Sequence, residues 1–410
     1  MKGQHGVDWV ETTFGWEPHW TMDPRVSDIE AVMKTTFQIP QDCNVVFIGQ
    51  GALNKLYRVQ YGNDSLLMRI SLPVDPSSKT ESEVATLHFI RKNSNLPVPR
   101  VQAYNSSRSD PIGFEWILMN LMPGMPLQER WRSISWPAKE AIVEQLAGFS
   151  ASMYRRQFRA IGNIYPNPKR PDLSTLEIQR IVSMQFFWGD HLSQAVSRGP
   201  FQSSQEWIAA RLSLNEADSE RILRHSSDED EREDAETTLR IIQRLRNHLP
   251  EFFPTKGIER TMFFHDDLSQ QNILVDKDGN LTAVVDWECV SALPLWKACQ
   301  CPAFLQGRDR NDEPIRDAYG RSKNGDANDL FWEHWLEYEF TRLRSFFLKK
   351  MYKLECGWID VFRSSQKQRD FDLAAQNCDN PFCFRTIHAW LDDVEQKKEP
   401  MRGLSERLQE

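Results

Sequence analysis

The chain has 410 residues, 40% of them apolar and 26% charged, and its 50 basic and 58 acidic side chains leave a net charge of −8. This composition supports a sizeable core and excludes wholesale disorder, and the mild acidity makes nucleic acid a poor partner. No stretch reaches the roughly 18–20 consecutive apolar residues of a membrane span. The opening MKGQHGVDWVETTFGW lacks the apolar centre of a secretory signal and carries Asp8 and Glu11, unlike an acid-poor transit peptide. The expectation is a cytoplasmic protein without a membrane partner; no pattern specifies an oligomeric state. Seven cysteines without a CxxC pair read as reduced thiols.

Residues 1–40 hold Trp9, Trp16 and Trp20 with Pro18, Pro24 and Pro40, and read as an irregular aromatic extension packed on a core. Residues 45–48 form a strand that runs into Gly49-Gln50-Gly51. Residues 55–61 alternate as a second strand, Gly62-Asn63-Asp64 signals a turn, and 65–71 is a third strand. A helix follows, with Ser78 or Thr80 as N-cap, Glu81 or Glu83 three residues on, and an apolar face of Val84, Leu87 and Ile90. Leu96-Pro97-Val98-Pro99 stops it. Two more strands, 101–104 and 115–119, complete a β-β-β-α-β-β order before a break at 120–126. The fold class is therefore α+β. A small antiparallel-sheet lobe (41–121) follows the extension (1–40) and precedes a larger, mainly helical lobe (122–410).

In the second lobe Pro137 opens a helix with Ile142, Leu146, Phe149 and Met153 on one face. Another helix ends before Pro250, and the acidic run 228–236 ahead of it reads as a solvated face. Residues 261–288 are strongly β: strands at 262–264, 272–275 and 281–285, the last two joined by the turn Asp276-Lys277-Asp278-Gly279-Asn280. The Gly falls at the fourth position of that loop, which fits a hairpin and not a calcium loop. Asp267, Asn272 and Asp286 stand at the strand ends. One carboxylate can orient and deprotonate a hydroxyl, while an amide oxygen and a second carboxylate can hold Mg²⁺ against phosphate, as phosphoryl transfer requires.

The string His265-Asp266-Asp267-Leu268-Ser269-Gln270-Gln271-Asn272, followed by Val285-Asp286-Trp287-Glu288, resembles the aminoglycoside phosphotransferase/choline kinase-like family, whose members share the protein-kinase-like two-lobe fold. The resemblance implies Asp267 as catalytic base, His265 as the residue shaping its loop, and Asn272 and Asp286 as Mg²⁺ ligands. It further implies that Gly49, Gly51 and Asn54 belong to a loop covering the phosphates of ATP. Arg69 stands in the place of the phosphate-pairing lysine, with Glu83 as its ion-pair partner. Asn120 and Met122 lie in the hinge that would hold adenine through the backbone. The expected activity is transfer of the γ-phosphoryl group of ATP to a hydroxyl of a small-molecule acceptor. Arg69 in place of lysine and Asp266 in place of the usual glycine keep open a nucleotide-binding protein without turnover. A protein kinase is disfavoured because no activation loop follows Asp286. Trp188, Trp207, Trp287 and Trp296 could line an acceptor pocket or simply pack a core. Glu288 and the acidic run could attract a cationic acceptor.

Overall fold

The structure, a computed structural model, describes residues 6–12, 15–37, 43–62, 64–170, 172–255, 257–321, 327–398 and 400–408. Pro40 and Asn63, named above, lie outside them. Five antiparallel strands form the amino-terminal sheet in the order Asn44–Gln50, Asn54–Tyr61, Asp64–Ser71, Glu115–Asn120, Val101–Asn105. The alternation in the second strand works as expected: Tyr57 and Val59 are buried while Arg58 and Gln60 are exposed. The helix Ser78–Asn93 crosses between the third strand and Val101–Asn105, with Val84, Leu87 and Ile90 buried.

Three expectations change. The aromatic lead-in is regular: Val7–Thr12 and Gly15–Trp20 pair as a hairpin, and Val26–Phe37 is a helix. Ile29, Val32 and Met33 recur at helical spacing in that segment, and they bury against the sheet beside Val45, Met68 and Trp116. The helix Ser78–Asn93 begins after Ser77, which has a φ of 63° and makes no side-chain cap; Ser78 and Thr80 already lie inside it. The acidic run and the helix ahead of Pro250 are one helix, Glu229–Phe252, capped by Asp228 and containing Pro250 in its last turn. Acidic residues suit its first turn because the unpaired N–H groups there carry partial positive charge.

The larger part holds the helices Trp136–Tyr154, Ser204–His225, Glu229–Phe252, Asp329–Leu354, Gln366–Gln376 and Pro381–Glu395 around one extended apolar core. Ile142, Leu146, Phe149 and Met153 face it. The hairpin Ile273–Val275/Leu281–Val284 is present, and its Asp276 side chain accepts from the backbone N–H groups of Asp278 and Asn280. Met125–Pro126 adds a third strand to it, and Thr261–Phe264 pairs with a strand not foreseen, Ser291–Pro294. A smaller apolar cluster joins the two parts: Val7 of the first hairpin, Leu53 and Leu72 of the sheet region, and Tyr165, Val182 and Phe187. Four cysteines are buried, but Cys356 is exposed. Among the described residues no helix is long and apolar enough to cross a membrane.

Candidate active site

Asp267 and Asn272 flank the loop between Thr261–Phe264 and the hairpin, and Asp286 follows the hairpin's second strand. The Asn272 amide nitrogen donates to the Asp267 carboxylate at 2.9 Å and to its carbonyl at 2.9 Å. That fixes the carboxylate and leaves the amide oxygen as the available ligand atom. Asp267 and Asp286 line the same cavity, of about 710 Å³, which also reaches Leu53 next to Asn54. Asp286 has a φ of 63°, a strained conformation for a residue with a side chain, of the kind that persists where the surroundings impose it. His265 is buried beneath the loop. One ring nitrogen approaches the Val285 carbonyl at 3.5 Å, and the ring meets Trp287 edge-on at 4.8 Å. Burial lowers its pKa, so it sits there as a neutral ring and does not face the cavity.

Across the cleft Arg69 is buried and ion-paired with Glu83. Its Nη1 lies 3.4 Å from Asp286, and Nη2, the nitrogen paired with Glu83, is 3.6 Å from Glu288. The sequence reading missed the second cation. Lys79, on the same helix as Glu83 and four residues ahead of it, is only 1% exposed, and its ammonium lies 2.5 Å from Glu288. Residues four apart share a helix face, so the signal was present, but a lysine at that spacing ordinarily reads as surface. Asn54 donates to Glu288 at 2.9 Å, and its amide oxygen faces both Ser71 and Lys79. Burial would raise the Glu288 pKa, but Lys79 and Arg69 outweigh it and hold the group down to about 2. Asp286 is pushed up to about 6 by burial and by the Glu288 charge beside it.

Gly49 lies in the first sheet strand, and the Gly51 N–H donates to the Asn54 carbonyl at 2.9 Å. A Cβ on either glycine would meet nothing within 4 Å, so the space over this turn is open. In the hinge region the Asn120 N–H is taken by the Arg100 carbonyl at 3.1 Å, its side chain accepts from Gln102 at 2.7 Å, and the Leu121 N–H is spent on Ser65. Met122 is half-buried nearby. The tryptophans divide. Trp188 and Trp207 line the cavity, whereas Trp287 and Trp296 are buried in the core. The segment after 300, for which the sequence suggested no role, supplies Gln376 and Asp379 to the cavity wall.

The Asn272 oxygen and the Asp286 carboxylate fit a divalent cation. They are hard oxygen ligands, and an anion destabilised by burial and by a neighbouring carboxylate is relieved by a cation. The open glycine turn above Arg69 and Lys79 fits phosphate, because small residues and cations both favour it.

A family model described as the phosphotransferase enzyme family matches residues 44–296. Among curated proteins, a subtelomeric hrmA-associated cluster protein of Aspergillus fumigatus is 29% identical over 170 residues, 39% of this chain and 33% of that protein. Clavilactone A biosynthesis cluster protein Y of Ampulloclitocybe clavipes is 29% identical over 242 residues, 58% of this chain and 55% of that one. Altered inheritance of mitochondria protein 9 of Lachancea thermotolerans is 24% identical over 297 residues, 60% and 48% respectively. The chain thus spans a third to about half the length of these relatives. Among solved structures, aminoglycoside phosphotransferase APH(4)-Ia is 14% identical with a TM-score of 0.46, over 90% of this chain and 99% of that one.

Proposed function

Because this chain belongs to the phosphotransferase enzyme family, we propose that it moves the γ-phosphoryl group of ATP to a hydroxyl of a small-molecule acceptor. The observation that carries this reading is Asp267, its carboxylate fixed by Asn272, on the same cavity as Asp286 and Glu288, which meet the buried cations Arg69 and Lys79. Mg²⁺–ATP would supply the transferable group and neutralise the charge on its oxygens. Asn272 and Asp286 would hold the metal. Arg69, steadied by Glu83, and Lys79 would meet the phosphates beneath the Gly49–Gly51 turn. With the Asn120 N–H already used, Met122 is the hinge residue proposed to donate to the base.

Asp267 would accept the proton of the acceptor hydroxyl at its carboxylate. The Asn272 amide fixes that carboxylate's orientation. His265, neutral and edge-on to Trp287, positions the loop and takes no proton. The Asp286-to-Ser291 connection is too short for an activation loop, which favours a small acceptor over a protein. The cytoplasm is the proposed compartment, and fractionation against a mitochondrial marker tests it, given the relative named for mitochondria.

The test is ADP release by the purified chain with Mg²⁺–ATP and a library of hydroxylated metabolites. Asp267→Asn is expected to lose at least a hundredfold in rate while keeping its nucleotide-induced thermal shift. Undiminished turnover in that variant would remove the proposed base. A nucleotide-induced shift with no turnover on any acceptor would favour the binding-protein reading, for which the three carboxylates already around Arg69 are the motivating observation.

A further inference from the structure

The cavity that holds Asp267 has a second charged wall. Arg211, on the helix Ser204–His225, and Lys297, on the short helix Leu295–Ala298, both line it. Both are bonded to one carboxylate: Arg211 Nη1 to Asp372 at 2.5 Å and Lys297 Nζ to Asp372 at 2.6 Å. Asp372 is fully buried on the helix Gln366–Gln376; burial would raise its pKa, but Lys297 and Arg211 outweigh that and hold it below the usual value. Two cations on one anion leave a single net positive charge.

Among the described residues no other carboxylate bonds either cation. Glu288 is already matched by Lys79, and Asp379 interacts with the His191–Asp218 pair. Arg211 is only 3% exposed, spends one further donor on Gln185 at 2.6 Å, and lies over the Trp207 ring at 4.7 Å. A guanidinium has five N–H donors and an ammonium three, so both groups keep donors to spare beside an open cavity. A buried surplus charge is costly until a counter-ion reaches it.

We propose that Arg211 and Lys297 form an anion subsite for the acceptor, which is a small alcohol carrying a carboxylate. This rests on the phosphotransferase reading for the alcohol, though not for the subsite. The single surplus charge suits a monoanion better than a phosphate, which carries about −1.5 to −2 at neutral pH. The planar guanidinium suits a carboxylate fork. Trp188 and Trp207 give the body of such a molecule an apolar flank, and Asp267 stands on the same cavity to meet its hydroxyl. The Glu288 charge, which suggested a cationic acceptor, is paired with Lys79 at 2.5 Å. Asp372 and Lys297 lie beyond residues 44–296, so the subsite belongs partly to this chain's own carboxy-terminal region.

The test uses the full chain and matched probes: glycerate against glycerol, gluconate against glucitol, and 4-(hydroxymethyl)benzoate against its methyl ester, with 3-phosphoglycerate as the phosphate arm. Thermal shift is read first, without nucleotide. Carboxylates are expected to raise the melting temperature more than their neutral partners. Lys297→Gln, which leaves Asp372 paired with Arg211, is expected to weaken that binding about tenfold or more, and Lys297→Arg to restore it. Equal shifts for acids and neutral partners, or unchanged binding in Lys297→Gln, would overturn the subsite and leave the triad a purely structural tie between helices. A stronger shift from 3-phosphoglycerate than from glycerate would overturn the choice of a carboxylate. ADP release is read second. Turnover of neutral or cationic alcohols alone would sink this inference and spare the kinase reading, while carboxylate binding without any ADP release would do the reverse.

Discussion

Replacing Lys79 by methionine removes one ammonium from the cleft and keeps most of the side chain's hydrocarbon volume. The ammonium lies 2.5 Å from Glu288 and within 3.3 Å of the Asn54 amide oxygen, at a residue only 1% exposed. Breaking a buried ion pair by deleting one partner costs about 3–5 kcal/mol. Glu288 would keep the Asn54 hydrogen bond at 2.9 Å and Arg69 at 3.6 Å, so the lower end, about 3 kcal/mol, applies here. At roughly 1 °C per kcal/mol for a chain of this size, the melting temperature should fall by about 3–4 °C. Urea unfolding of the wild type, Lys79→Met, Glu288→Gln and the double variant gives the pairwise part. The double variant should cost about 1–3 kcal/mol less than the sum of the singles. A Lys79→Met loss under 0.5 kcal/mol, or strict additivity with Glu288→Gln, would refute the claim that this pair ties the sheet lobe to the segment after Asp286.

Gly51→Val should leave unfolding unchanged within about 0.5 kcal/mol, since its Cβ meets nothing, yet diminish the Mg²⁺–ATP thermal shift; an intact shift would remove this turn from the nucleotide site. Gly124 has a φ of 114°, and a Cβ there would lie 2.8 Å from the Val275 carbonyl, so Gly124→Ala should cost roughly 1–3 kcal/mol in urea unfolding. His191 approaches two acceptors, the Gln185 carbonyl and Asp218, each at 2.6 Å, which requires the doubly protonated ring. Burial lowers its pKa, but Asp218 outweighs burial and the net shift is upward from 6.5. Its contribution is therefore complete below pH 6.5 and lost as pH rises through the raised value. The melting-temperature gap between wild type and His191→Gln should shrink from pH 6 to pH 9, and a constant gap would contradict the charged ring.

The small sheet was readable because its signals are local. Residues 55–61 alternate, and Gly62 and the prolines near 97–99 punctuate the chain at positions that depend on no distant partner. The same holds for the hairpin turn, where Asp276 satisfies its own neighbours. Reading failed where the decisive partner was remote. Ser78 looked like a cap, yet its hydroxyl accepts from Arg180 at 2.6 Å, one hundred and two positions away, and it is the first residue of the helix. In the lead-in, the Ile29, Val32 and Met33 spacing is short, and its burial depends on Val45, Met68 and Trp116 of the sheet.

Sequence order by itself determined the β-β-β-α-β-β succession of the small sheet, the Asp267-to-Asn272 spacing and the family, since each is written within a few dozen neighbouring residues. Only the tertiary structure decided that Lys79 is buried on Glu288, that His265 lies under the loop and not in the cavity, and that Asp372 gathers Arg211 and Lys297 into the cavity wall. A charge's role depends on what desolvates it and what faces it, and both are supplied by segments far away along the chain.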